Sequence, residues 1–531
     1  MIQQIKKYFF PFSVLLVCIF YFFDLSNLDA LRQGTEGFYL QISKEMFEAN
    51  SFLTPYYRGV RHWSKPFLHF LFPFPLYETG LFSNIQSARL SIALLTIFTI
   101  YISSKLLESK TKIAPYATFL FFLSSIGLIK YGRIFMMEIP LSLLCFVGSL
   151  YFYDYLQRPT KKNLFLATFF IGSSILIKGP VSFVLSTVSI GAYILFNYFY
   201  KKEAIPFKKL IIYASFVIFF SSLWFIKSYI TYGDEFFNYF FLRENMGKFS
   251  TKSYPIRHVF QGLLIFSLPW SIFLPSIVKS NYKKLHFKND FINFISFHAF
   301  FFFVIWLIPT QRSHHYAMPA IPFFLTLILF GIKDNKVLIS RFANWSITLF
   351  MSLILLLLLV PTFKPGLFPE HINLTVFMLF TLMILLLSII TFIKSQNISL
   401  KALSCLVFTG WIWVFVAPQF IPAQLPQKAI SIIGDRELVG YVNKPYFIEE
   451  AIGRPMVLIE PATLPSHINS TSIFIIDSSY YQSLRFSQKC TILTQWKIWK
   501  RRTRMREIIS AISSNNINGI KTEYVLFECK L

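Results

Sequence analysis

The stretch RQGTEGFYLQISKEMFEANSFLTPYYRGVRHWSKPF, Arg32 to Phe67, crowds acids, arginines and a Lys-Pro step directly behind an apolar N-terminal segment. Two of its residues are of the types that group-transfer chemistry needs. Glu36 is a carboxylate able to take a proton. Lys65 precedes Pro66, and proline is favoured in the first turn of a helix. A lysine placed there, beside free backbone N–H groups, suits a phosphate. The plainer readings are a solvated loop acid and a lysine that snorkels to the interface. A third residue, Glu138 in RIFMMEIPLSLL, sits at the rim of an apolar segment. A carboxylate in that position is costly unless it is paired or functional. Arg133, five residues earlier, offers the rival explanation of a structural ion pair.

These residues need a scaffold, and the composition says which solvent it lives in. The chain has 531 residues, 55% hydrophobic and 14% charged, with 65 phenylalanines and a mean hydropathy of +0.54. Soluble domains carry about 25% charged residues, so lipid is the expected solvent. The net charge of +26 is then read as lysines flanking membrane spans rather than as a nucleic-acid surface. A span takes ~20 apolar residues, and about thirteen stretches qualify. They lie near 8–24, 86–107, 113–130, 136–156, 163–178, 180–200, 209–231, 258–278, 291–309, 315–332, 343–362, 371–393 and 400–418. The N-terminal stretch lacks a small-residue cleavage site and is expected to be an uncleaved first span.

The loops give the orientation. Basic clusters at Lys6-Lys7, Lys105 to Lys112, Arg158 to Lys162, Lys201 to Lys209, Lys279 to Lys288, Lys333 to Arg341, and Lys394 with Lys401 fall in alternate loops. The positive-inside rule makes those loops cytoplasmic, with the N-terminus inside and the C-terminus outside. On the other face Tyr39, Ile42 and Met46 recur at helical spacing, which predicts a short amphipathic helix; a second is expected from Pro66, broken or kinked at Pro73 and Pro75. The runs RPMVLIE, STSIFIID and EYVLFEC predict strands of a small α/β domain over 420–531, leaving 1–419 as the membrane domain with outer-face helices at about 36–84. Cys490 and Cys529 lie in that domain, where an oxidising compartment would permit a disulfide. The basic run KIWKRRTRMR, 497–506, reads as a solvated helix face, with a contact to anionic lipid headgroups as the other reading.

The order of these pieces resembles a family. Q-G-T-E-x-x-Y-x-x-I-x-x-E-M, Lys-Pro, R-x(4)-E-x-P, Lys-Gly, RENMGKF and HHYAMPAIP follow one another as in lipid-linked-sugar glycosyltransferases of the GT-C fold. The aminoarabinose transferase and dolichyl-phosphate-mannose–protein mannosyltransferase group (families 39 and 83) is the nearest in pattern. The resemblance implies an all-α polytopic GT-C protein of about 13 transmembrane helices with a small C-terminal α/β extracytoplasmic domain. It implies transfer of a sugar from a polyprenyl-phosphate donor to a lipid A-like or other glycan acceptor, by inverting single displacement.

Residue by residue, it implies that Glu36 and Glu138 are the catalytic acids, with Glu36 favoured as the base. Lys65 matches the lysine that grips the lipid phosphate; Arg133, Lys178, Lys248, Arg312 and Tyr316 complete the lipid-phosphate and donor-binding set. The chain departs from the pattern at Thr35, where the family has its first acid, and at Phe38, where a basic residue often stands. Ser64 replaces a glutamate implicated in metal binding, so no metal and no other cofactor is expected. The expected partners are the donor, the acceptor and membrane lipids, without nucleic acid, and the expected setting is a bacterial inner membrane with the C-terminal domain periplasmic. A transporter or flippase of a lipid-linked sugar is the alternative. It fits less well, because internal repeats are not evident and the charges cluster at one set of loops instead of along the spans.

Overall fold

A computed structural model describes all residues except 1, 29–34, 248–253, 282–288, 334–340, 364–373, 422, 443–444, 461–470, 484–489, 501–502, 504, 515 and 530–531. Helices occupy each of the apolar stretches named above. Among the described residues, eight are long and apolar enough to cross a membrane, or nine if the bent pair Arg257–Phe266 and Trp270–Val278 is one span. The helices at Phe10–Phe22 and Asn344–Leu358 are shorter apolar ones.

Contacts divide the chain into two units: Met1–Ser26, Tyr39–Ser352 and Met383–Trp413 form the first, and Asn27–Phe38, Leu353–Leu382 and Val414–Leu531 the second. In the first unit the helix Glu138–Gln157 is buried along nearly its whole length. Small residues let its neighbours close in: a Cβ on Gly148 would lie 2.8 Å from Ile171 of the adjacent Lys161–Lys178 helix. At the C-terminal end of that central helix, Asp290 gathers Tyr193 (2.6 Å), Lys201 (2.7 Å), Gln157 (3.1 Å) and Tyr153 (3.2 Å). The half-buried acid is paired and hydrogen-bonded, so it fastens three helices there. The chemistry-bearing Glu138 stands at the other end of the same helix.

Two expected spans are broken. Residues 113–130 form Pro115–Leu123 and Ile126–Tyr131, and 258–278 bends by 97°. The breaks meet. Ile126 N–H donates to the Leu268 carbonyl at 2.9 Å, Trp270 Nε1 donates to Ser124 Oγ at 3.0 Å, and Thr409 Oγ1 donates to the Ser124 carbonyl at 3.1 Å. Three backbone groups at the breaks, the Ile126 N–H and the Leu268 and Ser124 carbonyls, thus find partners from other segments, the condition for non-helical backbone at membrane depth.

The expected amphipathic helix is Glu36–Glu48, with Ile42 and Met46 buried. The second one differs from expectation. Pro66 does not start it; Leu68–Leu71 and Phe74–Tyr77 are two single-turn helices, because prolines at 73 and 75 deny the chain a continuous ladder. Before them a tight hairpin pairs β1 (Tyr56–Tyr57) with β2 (Val60–Arg61).

The second unit carries a five-stranded mixed sheet. Its strands are β3 (Leu438–Gly440), β4 (Val457–Leu458), β5 (Ile473–Asp477), β6 (Cys490–Trp499) and β7 (Lys521–Cys529), in the order β4-β3-β5-β7-β6. β3 runs parallel to β4 and β5; β7 is antiparallel to β5 and β6. Alternate residues serve opposite faces: Ile473, Ile475 and Leu526 pack with Ala429 and Ile433, while Phe474, Ile476 and Phe527 form the other layer. The basic run is not one helix face, since Lys497 to Trp499 complete β6. Cys490 and Cys529 sit opposite each other across β6 and β7 and are joined by a disulfide. Opening this link, with its sequence separation of 39, is expected to cost roughly 2–4 kcal/mol. Cys529→Ser should therefore lower the urea midpoint of the C-terminal unit, followed by limited proteolysis; an unchanged midpoint would show that the strand ladder suffices alone.

Candidate active site

Glu138 opens its helix, where the helix dipole favours a negative charge. It is 3% exposed, and Arg133 is not its partner. Lys178 Nζ lies 3.2 Å from Glu138 Oε1, and His315 Nε2 lies 3.5 Å from the same oxygen. The other oxygen, Oε2, is buried with no hydrogen-bond partner among the described residues. A buried carboxylate normally fills its acceptor positions, so this one presents an open acceptor beside a cation.

Lys178 is delivered by a helix stop. Gly179 has φ +88°, a conformation L side chains rarely adopt, and its N–H closes the last turn on the Ile175 carbonyl at 2.8 Å. The ammonium then lies over the Trp306 ring at 5.0 Å and the Tyr316 ring at 5.3 Å. Trp306 and Tyr316 pack on each other at 4.8 Å, and His315 meets Tyr316 edge-on. One acid, one cation and three rings thus converge from the helices Glu138–Gln157 and Lys161–Lys178 and from the 3₁₀ segments Ile305–Leu307 and His314–Ala320.

Lys65 is held in a second cluster of the first unit. Trp63 is buried among Trp224, Phe236 and Phe240, and Arg61 pairs with Glu235 at 3.3 Å. Trp224 Nε1 donates to the Leu53 carbonyl at 2.8 Å. These contacts clamp the 53–65 loop onto Phe207–Phe237 and the following Asn238–Met246 segment, which the positive φ of Gly233 allows to turn. Lys65 Nζ donates to the Ser64 carbonyl and stands 3.9 Å from Glu244. His62 Nδ1 and the Tyr239 hydroxyl are 2.9 Å apart. Burial is the main influence on His62 and lowers its pKa to about 4, against the opposing charge of Glu244.

The remaining expected residues are more dispersed. Arg133 donates to the Phe23 carbonyl. Arg312 is committed to the backbone, giving hydrogen bonds to the carbonyls of Leu307 (3.0 Å) and Tyr254 (2.9 Å). Glu36 is buried at the first position of its helix, in the segment that groups with the second unit. Lys248 lies outside the described residues. Reading the sequence missed His315, although the His-His-Tyr run was in view, and it missed Glu244 within RENMGKF and Trp306. Each is recognisable only through what it touches.

Residues 6–231 match the family described as dolichyl-phosphate-mannose-protein mannosyltransferase, PMT. An uncharacterized protein of Aquifex aeolicus (strain VF5) is 27% identical over 321 residues, a match that takes in 58% of this chain and 60% of that protein's length. Two crystal structures of ArnT from Cupriavidus metallidurans share the fold over 98% of both chains. One is bound to undecaprenyl phosphate (TM-score 0.69, 15% identity) and the other is in the apo state (TM-score 0.70, 16% identity). The chain therefore resembles the PMT family over residues 6–231 and shares the fold of ArnT over nearly its whole length.

Proposed function

We propose that this protein transfers a sugar from a polyprenyl-phosphate donor to a hydroxyl of a lipid or glycan acceptor at the outer face of a bacterial inner membrane. The observation that carries the reading is the buried Glu138–Lys178 pair, with one carboxylate oxygen held and the other open. In the reaction the acceptor oxygen attacks the anomeric carbon, and the bond from that carbon to the phosphate oxygen breaks. The polyprenyl phosphate leaves with both electrons of that bond, and the acceptor proton passes to a carboxylate. A single displacement of this kind inverts the anomeric centre.

Cations set where the departing oxygen gains charge stabilise the transition state; Lys65 and Lys178 have that role, supported by Tyr316, Arg133, Arg312 and Lys248. Glu36 is the base, since a high-pKa hydroxyl needs a carboxylate to take its proton as the bond forms. Glu138 orients the incoming group through its open oxygen. Glycolipid mass spectrometry on a deletion strain tests the reading: one sugar-bearing species should vanish and return with the gene. An unchanged glycolipid and glycan profile would count against it.

The proposed topology is thirteen crossings, with the N-terminus cytoplasmic and the C-terminal unit outside, in keeping with about one crossing per apolar stretch. The disulfide of that unit fits an oxidising compartment. Reporter fusions after Gln396 and after Leu425 should therefore report opposite sides. Fusions that both report the cytoplasm would overturn the orientation.

A further inference from the structure

His69 was not singled out by its sequence neighbours, yet it is the most unusual polar side chain near the site. It lies in the single turn Leu68–Leu71, four residues beyond Lys65, and is completely buried. Its ring stacks on Phe135 with centroids 4.3 Å apart and meets the edge of Tyr39 at 5.6 Å. The turn that carries it is pinned, because Ser43 Oγ donates to the Phe70 carbonyl at 2.6 Å. Neither ring nitrogen has a hydrogen-bond partner among the described residues.

A second unfilled group stands nearby in the chain that holds this ring. Phe135, the stacking partner, is three residues before Glu138, whose Oε2 is also buried and unpartnered among the described residues. Burial dominates the His69 environment and lowers its pKa to about 3, with the Glu138 charge opposing and the Lys178 charge assisting. The ring is therefore neutral, with one nitrogen donating and the other accepting. Lys178 already balances the Glu138 charge. What is left unsatisfied is one donor and two acceptors, with aromatic faces beside them. Phosphate offers acceptors alone and an ammonium offers donors alone. A sugar hydroxyl both donates and accepts, and the apolar face of its ring suits an aromatic wall.

We infer that His69 and the open oxygen of Glu138 form a subsite for an uncharged sugar hydroxyl, walled by Tyr39 and Phe135. This rests on the glycosyltransferase reading and deepens it, by giving the substrate a neutral hydroxyl at this point. The hydroxyl belongs either to the donor sugar or to the acceptor, and the two sources are separable.

The test uses the purified full-length protein and its His69→Phe and His69→Gln variants. Phenylalanine keeps the ring and its stacking but removes both nitrogens; glutamine restores a donor and an acceptor. Binding is measured for undecaprenyl phosphate, for undecaprenyl phosphate carrying a neutral hexose, and for methyl glucoside as a hydroxyl acceptor. His69→Phe should bind bare undecaprenyl phosphate as the unmutated protein does. It should weaken by about ten- to hundredfold, the usual effect of losing a buried hydrogen bond, toward the hexose-linked donor or toward methyl glucoside. The probe affected names the source, and His69→Gln should recover part of the loss. A folded His69→Phe protein with unchanged affinity for both sugar probes would overturn the subsite. If the phenylalanine variant does not fold, His69→Ala is judged by the same two affinities. Failure of the unmutated protein to bind undecaprenyl phosphate is a different result: it would overturn the glycosyltransferase reading itself, and the subsite with it.

Discussion

Glu36→Gln is expected to lower sugar transfer by about 10²–10⁴, the range for removal of a general base, while polyprenyl-phosphate binding persists. Glutamine keeps the shape of the side chain and its ability to accept a hydrogen bond, but it cannot take the acceptor proton as the new bond forms. The residue is buried at a helix start, and with Thr35 in place of the family's first acid it is the one carboxylate left of the expected pair. Glu138→Gln provides the contrast. Glu138 already shares one oxygen with Lys178 and His315, so its loss unpairs a buried lysine as well as removing the open acceptor. That variant should therefore show a raised KM along with a lower kcat, whereas Glu36→Gln should lose kcat with KM nearly unchanged. Transfer by purified Glu36→Gln within a few-fold of the unmutated enzyme would move the base to Glu138. If both variants stay active, the proposed mechanism falls.

Lys65→Ala should weaken use of the lipid-linked donor by about 10²–10³, the scale on which one preorganised charge-stabilising group acts. Insertion and folding should be preserved, because the 53–65 loop is held by Trp63, Arg61 and the Trp224 hydrogen bond and does not depend on the lysine. Glu244, 3.9 Å from the ammonium, gives the charge a resident partner that a phosphate would replace. The measurement is turnover against donor concentration, with protein amount and melting temperature checked alongside. Normal turnover by a well-folded Lys65→Ala protein would return the residue to a loop lysine.

Much of the architecture was legible from local pattern. Runs of about 20 apolar residues fall where helices form, because a helix satisfies its own backbone wherever the solvent is lipid. Tyr39, Ile42 and Met46 marked an amphipathic helix for a similar reason: a 3.6-residue period is a property of neighbours in sequence. Three of the five strands of the C-terminal sheet showed as short β-branched and aromatic runs. β6 was obscured because its last residues, Lys497 to Trp499, open the basic run that reads as a helix face; a strand paired with β7 on one side only can carry such charge.

The acids at the rim of the apolar segments, the Lys-Pro step and the His-His-Tyr run were set by the sequence alone, because their cost in lipid or their charge is evident without a fold. Their pairings were not. Arg133 is the near neighbour of Glu138 in sequence, yet Lys178, 40 residues away, forms the pair, because the stop at Gly179 ends the neighbouring helix beside the start of the Glu138 helix. The breaks at Ser124 and near Pro269 likewise depend on each other's hydrogen bonds, and no window along one segment contains both. His69 is the clearest case: a histidine in an apolar stretch has no meaning by itself. Only packing against Tyr39 and Phe135 strips it of water and leaves its nitrogens unfilled, because burial and hydrogen-bond satisfaction depend on which distant segments close around a side chain.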